Sequence, residues 1–263
     1  MFPLNKPHDQ SLRNKNYFIN KESKGIIEKT FNNAPKAYIK YGREKEIRLM
    51  LEHIQPSIND KILCVGIGSG WEANILLNYI NSPIYGVDIS SGYLSYCSQR
   101  FGRKFIGDLC DIESEETPYK DNYFDKIVCL NVLPFFSEAG LNNFTKEISR
   151  IIKNDGRVFA FILNKLYPFS SLIQKQMINN RIDKNMPIYF YKRLSNYNNI
   201  FRKHGFKITG WIGGDIWCDV NTWFFKWLFN SKWEDLIIRF MERGCKNSLK
   251  RYYRSIYLML HKV

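Results

Sequence analysis

One stretch, ILCVGIGSGWEANILL at residues 62–77, most restricts the folds open to this chain. It joins a short apolar run to glycines at alternate positions 66, 68 and 70, and then to an apolar pattern with helical spacing. Glycines allow a tight turn after a strand and let a ligand approach the backbone closely. The stretch therefore predicts a strand, a glycine loop and a helix arranged around a nucleotide-like ligand.

The residues that follow alternate short apolar runs with helical patterns. Such alternation is typical of a parallel, doubly wound α/β sheet, and continuous apolar strands suit a sheet covered on both faces. A chain of 263 residues is long enough for one domain of this kind. Strands are predicted at 61–65, 84–87, 104–106, 124–130 and 157–163, and helices at 71–79, 92–101 and 138–152.

Beyond residue 163 the pattern changes. Residues 164–190 are irregular and basic, and the remainder predicts a helix at 192–204, a strand at 206–212 and aromatic-rich helices at 221–244. A strand-like run lies in the C-terminal tail. The expected organisation is a flexible arm at 1–24 and one domain at 25–263, with a helical cap at 25–60, a cofactor-binding core at 61–163, and a substrate side at 164–263 that carries a helical lid at 221–248.

The glycine pattern narrows the choice of ligand. A dinucleotide turn has the pattern GxGxxG, but Trp71 occupies its third glycine position, and no GK-[ST] element of a phosphate loop is present. Asp88 ends the second predicted strand, where a carboxylate can accept hydrogen bonds from ribose hydroxyls. Asp108 ends the third. The carboxyl ends of parallel strands meet at one edge of the sheet, so these features converge there.

In order and spacing, these residues resemble the class I S-adenosylmethionine-dependent methyltransferases, in particular the small-molecule group often labelled methyltransferase type 11. The resemblance covers residues 25–163 and extends to 192–212. It implies a Rossmann-like, doubly wound, mostly parallel sheet of seven strands with N-terminal helices and a C-terminal helical insertion. It rests on the segments ILCVGIGSG, YGVDIS, GDLCDI, PYKDNYFDKIVCLNVLPFF and EISRIIKNDGRVFAFIL.

The resemblance also implies roles for individual residues around S-adenosylmethionine. The ordinary alternatives stay open, because Asp88 could be a helix N-cap, Asn131 a turn residue and Tyr38 a core aromatic. The implied cofactor residues are Gly66, Gly68 and Gly70 around the methionine portion, Asp88 at the ribose, Ile89 on the adenine, Asp108 and Leu109 at the adenine edge, Asn131 at the methionine end, and Tyr38 on a helix that closes over the cofactor.

Two positions depart from the family pattern. The family usually has an acid two residues before the first glycine, and here that residue is Cys64. The family often places histidines after the fourth strand, and here the residues are Leu-Pro-Phe-Phe, so that side of the pocket is expected to be apolar. Because of Cys64, a non-catalytic module with this fold stays an alternative.

Methyl transfer depends mainly on positioning the nucleophile, and a base is needed only when the acceptor must lose a proton early. In the expected topology His53, His204 and His261 lie at the edge away from the site. Asp215, after Gly213 and Gly214, is the best-placed carboxylate for catalysis, although it could be a turn residue. No cluster has the spacing of a metal site. The predicted substrate residues are Tyr38, Phe135, Asn164, Tyr167, Trp217 and Arg251.

The formal net charge is +14, and the last hundred residues carry 18 Lys and Arg against six Asp and Glu. The motifs of nucleic-acid and protein-arginine methyltransferases are absent, which favours a small-molecule or lipid-like acceptor and argues against nucleic acid. The aromatic, basic region at 221–254 could cover an apolar substrate, contact an anionic membrane or simply pack in the core. Six cysteines without CxxC spacing and no N-terminal apolar segment favour a cytoplasmic protein; the sequence leaves the oligomeric state open.

Overall fold

The computed structural model describes residues 7–19, 36–178, 187–214 and 234–263. Short 3-10 turns lie at Gly102–Lys104, Leu133–Phe135 and Ser248–Tyr252. The strands are β1 (Ile62–Val65), β2 (Ile84–Asp88), β3 (Phe105–Leu109), β4 (Phe124–Cys129), β5 (Ile152–Leu163), β6 (Phe206–Gly213) and β7 (Ser255–Lys262). The helices are α1 (Pro7–Ile19), α2 (Lys36–Ile54), α3 (Trp71–Leu76), α4 (Ser91–Phe101), α5 (Glu138–Ile151), α6 (Ser170–Ile178), α7 (Leu194–Lys203) and α8 (Glu234–Lys246).

The strands form one seven-stranded sheet in the order β3-β2-β1-β4-β5-β7-β6. Strands β1 to β5 pair in parallel, whereas β7 runs antiparallel to both β5 and β6. This arrangement confirms the predicted doubly wound, mostly parallel sheet. The strand order reverses between β1 and β4, so the carboxyl ends of these two strands border the crevice in which open α/β sheets bind ligands.

Alternate side chains of each strand enter two separate cores. In β1, Leu63 and Val65 pack in one core with side chains of α5 and α7. Ile62 and Cys64 pack in the other core with side chains of α2, α3 and α4. Because side chains of a strand alternate between faces, this division explains why β1 is apolar and buried throughout.

The N-terminal region differs from the loosely structured arm that we expected. Residues 7–19 form α1, which Asn14 attaches to the rest of the molecule. The Asn14 amide donates to the carbonyls of Phe135 (3.1 Å) and Ile188 (2.9 Å), and its Oδ1 accepts from the Ile188 amide (2.7 Å). These partners are distant in sequence, so local spacing could not reveal them.

Two other stretches also refine the expected elements. Residues 164–190, expected to be irregular, include the helix α6. The described part of the predicted lid at 221–248 begins with α8, which ends at Lys246.

Candidate cofactor site at the carboxyl edge of the sheet

The loop after β1 takes a backbone conformation that favours glycine. Gly66, Gly68 and Gly70 have φ angles of 63°, 48° and 69°. A Cβ on Gly66 would overlap the Val132 side chain, and one on Gly70 would lie 2.5 Å from the ring of Phe101. A Cβ on Gly68 would meet nothing nearer than the Gly66 carbonyl at 3.9 Å. Packing therefore requires the outer glycines, and the middle one leaves open space above the loop.

Asp88, at the end of β2, ties this loop to the neighbouring strand. Its carboxylate accepts hydrogen bonds from the amides of Gly68 (3.0 Å) and Ser90 (2.9 Å) and is 8% exposed. Burial raises the pKa of Asp88, and the amide hydrogen bonds oppose that rise. The N-cap of α4 is Ser90, so Asp88 does not have the alternative capping role.

The other predicted cofactor residues lie around the same edge with different surroundings. Asp108 accepts a hydrogen bond from the Tyr119 hydroxyl (2.6 Å), and Leu109 beside it is 63% exposed. Asn131 follows β4, is exposed and has a φ of 58°, which asparagine tolerates. Ile89 is half-buried. Tyr38 lies in α2, but its side chain is outside the described residues.

Helix α1 covers part of this edge, which sequence reasoning missed. Lys15 forms ion pairs with Asp111 and Glu113, which follow β3. The ring of Phe18 lies 4.9 Å from that of Phe135, and Phe135 lies 5.2 Å from Tyr189. Aromatic rings therefore cluster around Phe135 in the segment after β4.

Helix α2 brings buried charges to the same region, another feature absent from our expectations. Lys45 is 2% exposed and donates to the Gly214 carbonyl (3.0 Å). Glu46 is 4% exposed and accepts from Arg43 (3.0 Å) and from the Tyr257 hydroxyl (3.1 Å). The run Arg-Glu-Lys-Glu at 43–46 has the composition of a solvated helix face, so the sequence pattern alone did not predict the burial of Lys45 and Glu46.

The predicted substrate residues lie in different surroundings. Asn164 is fully engaged, since its amide donates to the carbonyls of Arg251 (2.8 Å) and Tyr253 (2.9 Å) and its Oδ1 accepts from Leu166. Tyr167 is 5% exposed within a hydrophobic core, and the Arg251 side chain is exposed. Phe135 lines the apolar side. Asp215 and Trp217 lie outside the described residues.

Three histidines are far from this edge. His53 ends α2 and contacts the carbonyls of Val158 (3.1 Å) and Leu260 (3.3 Å). Burial lowers its pKa to about 4. His204 precedes β6 and contacts Asn142 (3.1 Å), and His261 pairs with Arg157 near the end of β7. The expected topology located all three correctly, at the amino ends of the parallel strands.

Residues 63–160 match the model of a family described as "Methyltransferase domain". The matched stretch runs from β1 into β5 and is similar to a methyltransferase domain. The cofactor that the resemblance implies is S-adenosylmethionine, and the residues present fit it: a Cβ on Gly68 would meet nothing nearer than 3.9 Å, so a ligand can approach the loop, and the Asp88 carboxylate lies beside the Gly68 amide.

The chain also resembles individual proteins. It is 30% identical over 136 residues to an uncharacterized protein of Methanocaldococcus jannaschii, a match that covers 52% of this chain and 53% of that one. The chain therefore spans about half the length of the curated relative it matches. Among the residues described, no helix is both long enough and apolar enough to cross a bilayer.

Solved structures share the fold at low identity. A geranyl diphosphate C-methyltransferase from Streptomyces coelicolor has a TM-score of 0.64 at 12% identity, over 97% of this chain and 98% of that chain. An S-adenosylmethionine-dependent methyltransferase from Mesorhizobium loti has a TM-score of 0.60 at 12% identity, over 84% and 98%. The [4+2]-cyclase SpnF has a TM-score of 0.57 at 16% identity, over 83% and 80%. These similarities establish the fold and leave the acceptor to be inferred from the site.

Proposed function

We propose that this protein transfers a methyl group from S-adenosylmethionine to a small, apolar or aromatic metabolite. The supporting observation is the aromatic group formed by Phe18, Phe135 and Tyr189 in the region that follows β4. Such a surface favours an apolar acceptor and keeps water from the reacting atoms. All five described cysteines are buried free thiols, which supports our inference of a reducing, cytoplasmic setting.

The chain's own residues would act mainly by positioning. When bound, S-adenosylmethionine would supply a methyl group activated by the positively charged sulfur that carries it, and S-adenosylhomocysteine would be the leaving group. The glycine loop and Asp88 would hold the cofactor, and Phe135 would orient the acceptor. A nucleophile held in line gains much of its rate from that orientation. Where the acceptor must lose a proton, we propose Asp215 as the base, as its position after β6 suggests.

Transfer of labelled methyl groups tests this proposal. The protein is incubated with methyl-labelled S-adenosylmethionine and a cell extract, which is then separated into small molecules, lipids, protein and nucleic acid. We expect label in small molecules that extract into organic solvent, and none with Asp88→Ala. Label in protein or nucleic acid would contradict the acceptor class. Cofactor binding without transfer to any fraction would instead indicate a non-catalytic module.

A second candidate function is methylation of a lipid-like acceptor at a membrane surface. It is favoured by the outer face of α8, where Leu236 and Phe240 are 59% and 66% exposed. Arg239 and Arg243 recur at spacings of three and four, so they share this face and are also exposed. Exposed apolar residues flanked by cations suit an anionic lipid surface. An ion pair between Arg48 and Glu242 (2.8 Å) holds α8 against α2.

Vesicle sedimentation distinguishes the two candidates. A membrane-surface enzyme should sediment with phosphatidylglycerol vesicles at low salt and be released as salt rises. The double variant Arg239→Glu, Arg243→Glu should lose this binding. The control Arg103→Glu, Lys104→Glu makes the same charge change at exposed positions after α4. Absence of sedimentation, or equal losses in both variants, would leave the small-metabolite proposal and reject the membrane candidate.

A further inference from the structure

Glu72 is a buried carboxylate next to the glycine loop. It is the second residue of α3, after Gly70 and Trp71, and is 6% exposed. Its hydrogen bond comes from its own backbone amide, and among the described residues no lysine or arginine is within ion-pair distance of it. A carboxylate removed from water without a cationic partner is costly. Its presence here therefore calls for an explanation.

The nearest groups do not neutralise Glu72. Arg43 is the cation that faces it, but the Arg43 guanidinium donates to Glu46 (3.0 Å) and lies 4.4 Å from the centre of the Trp71 ring. Burial first, and then the carboxylates of Glu46 and Asp88, raise the pKa of Glu72 to about 8. The titratable and charged groups around it are Arg43 and Glu46 from α2, Cys64 from β1, Asp88 from β2, Cys97 from α4 and Cys129 from β4.

Glu72 lies close to the position where the resemblance led us to expect an acid. Cys64 packs on the same face of the sheet as α3, in one core with Ala73 and Leu76. Burial raises the pKa of the Cys64 thiol, and the nearby charge of Glu72 raises it further. The missing strand carboxylate thus has a counterpart that reaches the same end of β1 from the following helix.

We propose that Glu72 binds the α-ammonium group of the cofactor's methionine portion and replaces the acid absent at position 64. The inference rests on the proposed function, since it requires a cofactor of that chemistry. An ammonium group offers three N–H donors and a full positive charge, which a buried carboxylate can accept. Pairing would offset the free-energy cost of burying the Glu72 carboxylate, so that cost would be lower in the cofactor complex than in the free protein.

Affinities for two ligands distinguish a loss of the contact with the ammonium group from a general loss of cofactor binding. S-adenosylhomocysteine carries the α-ammonium group and no sulfonium charge, whereas methylthioadenosine lacks the amino-acid portion altogether. By calorimetric titration, Glu72→Gln should weaken S-adenosylhomocysteine binding at least about tenfold and leave methylthioadenosine binding unchanged. The double variant Cys64→Asp, Glu72→Gln should recover affinity for S-adenosylhomocysteine by restoring the carboxylate on β1.

A matched control is Glu147→Gln. Glu147 is 4% exposed, but it accepts from Thr117 and Arg150 and lies away from the loop, so its loss should lower stability without changing the ratio of the two affinities. Unchanged S-adenosylhomocysteine binding by Glu72→Gln would overturn the proposal, as would equal weakening of both ligands. If the unsubstituted protein bound neither ligand, the proposed function would fail together with this inference. If the unsubstituted protein binds S-adenosylhomocysteine and Glu72→Gln binds it equally well, only the inference about Glu72 fails.

Discussion

Replacing Gly68 by alanine should separate ligand binding from folding. Gly68 has a φ of 48°, and a Cβ there would meet nothing nearer than the Gly66 carbonyl at 3.9 Å. The substitution therefore adds a methyl group without an internal clash. That methyl group occupies the open space above the loop, where we expect the cofactor to approach.

The magnitude follows from this geometry. An L-residue in the left-handed region costs about 1–2 kcal/mol. For a domain of this size that corresponds to a decrease in Tm of about 2–8 °C. The obstructed approach should weaken S-adenosylhomocysteine binding by at least about tenfold, or about 1.4 kcal/mol.

The control is Gly205→Ala, which makes the same change on the opposite edge of the sheet. Gly205 has a φ of 79°, and its nearest contact would be the Val263 carbonyl at 3.8 Å. Both variants should lose similar stability in thermal unfolding, but only Gly68→Ala should lose affinity in calorimetric titration. Equal affinities for the two variants would refute the assignment of the glycine loop to cofactor binding.

Three further predictions concern other residues. Asp88→Ala should strongly weaken S-adenosylhomocysteine binding, whereas His204→Ala should leave methyl-transfer turnover unchanged. Equal losses would contradict the location of the site at the carboxyl ends of the parallel strands. Asn164→Ala should lower the free energy of unfolding by about 2–4 kcal/mol, since it leaves two buried carbonyls and one amide unpaired; a urea titration that finds no loss would reject this structural role. The pKa of Glu72 is raised to about 8, so the native state retains that proton at higher pH than the unfolded chain. The stability of the cofactor-free protein should therefore fall as pH rises from about 5 to 8, and Glu72→Gln should reduce the fall, as thermal unfolding across this range would show.

Much of the sheet could be predicted because its signals are local. The apolar run before Gly66 and the carboxylate at Asp88 each belong to one strand end, and a parallel sheet brings such ends to the same edge. The resemblance carried by the order of these segments, rather than the local signals themselves, implied a mostly parallel sheet of seven strands. The contact between Asp88 and the Gly68 amide (3.0 Å) is a direct consequence.

The remaining features depend on contacts between distant parts of the chain. Helix α1 has polar composition, and Asn14 holds it through Ile188, 174 residues away. Asn164 follows β5, where a substrate residue was expected, but its side chain hydrogen-bonds the segment before β7 and the Leu166 amide. Glu72 lies within an apolar helix pattern that does not reveal its burial. Such residues can be recognised only when the packing around them is known.

The central claim is that this chain binds S-adenosylmethionine at the loop formed by residues 66–70. The most direct measurement is calorimetric titration of the full chain with S-adenosylhomocysteine, together with Gly68→Ala. The account predicts saturable binding at one site per chain, weakened at least about tenfold by the substitution. Absence of detectable binding by the unsubstituted protein would contradict it.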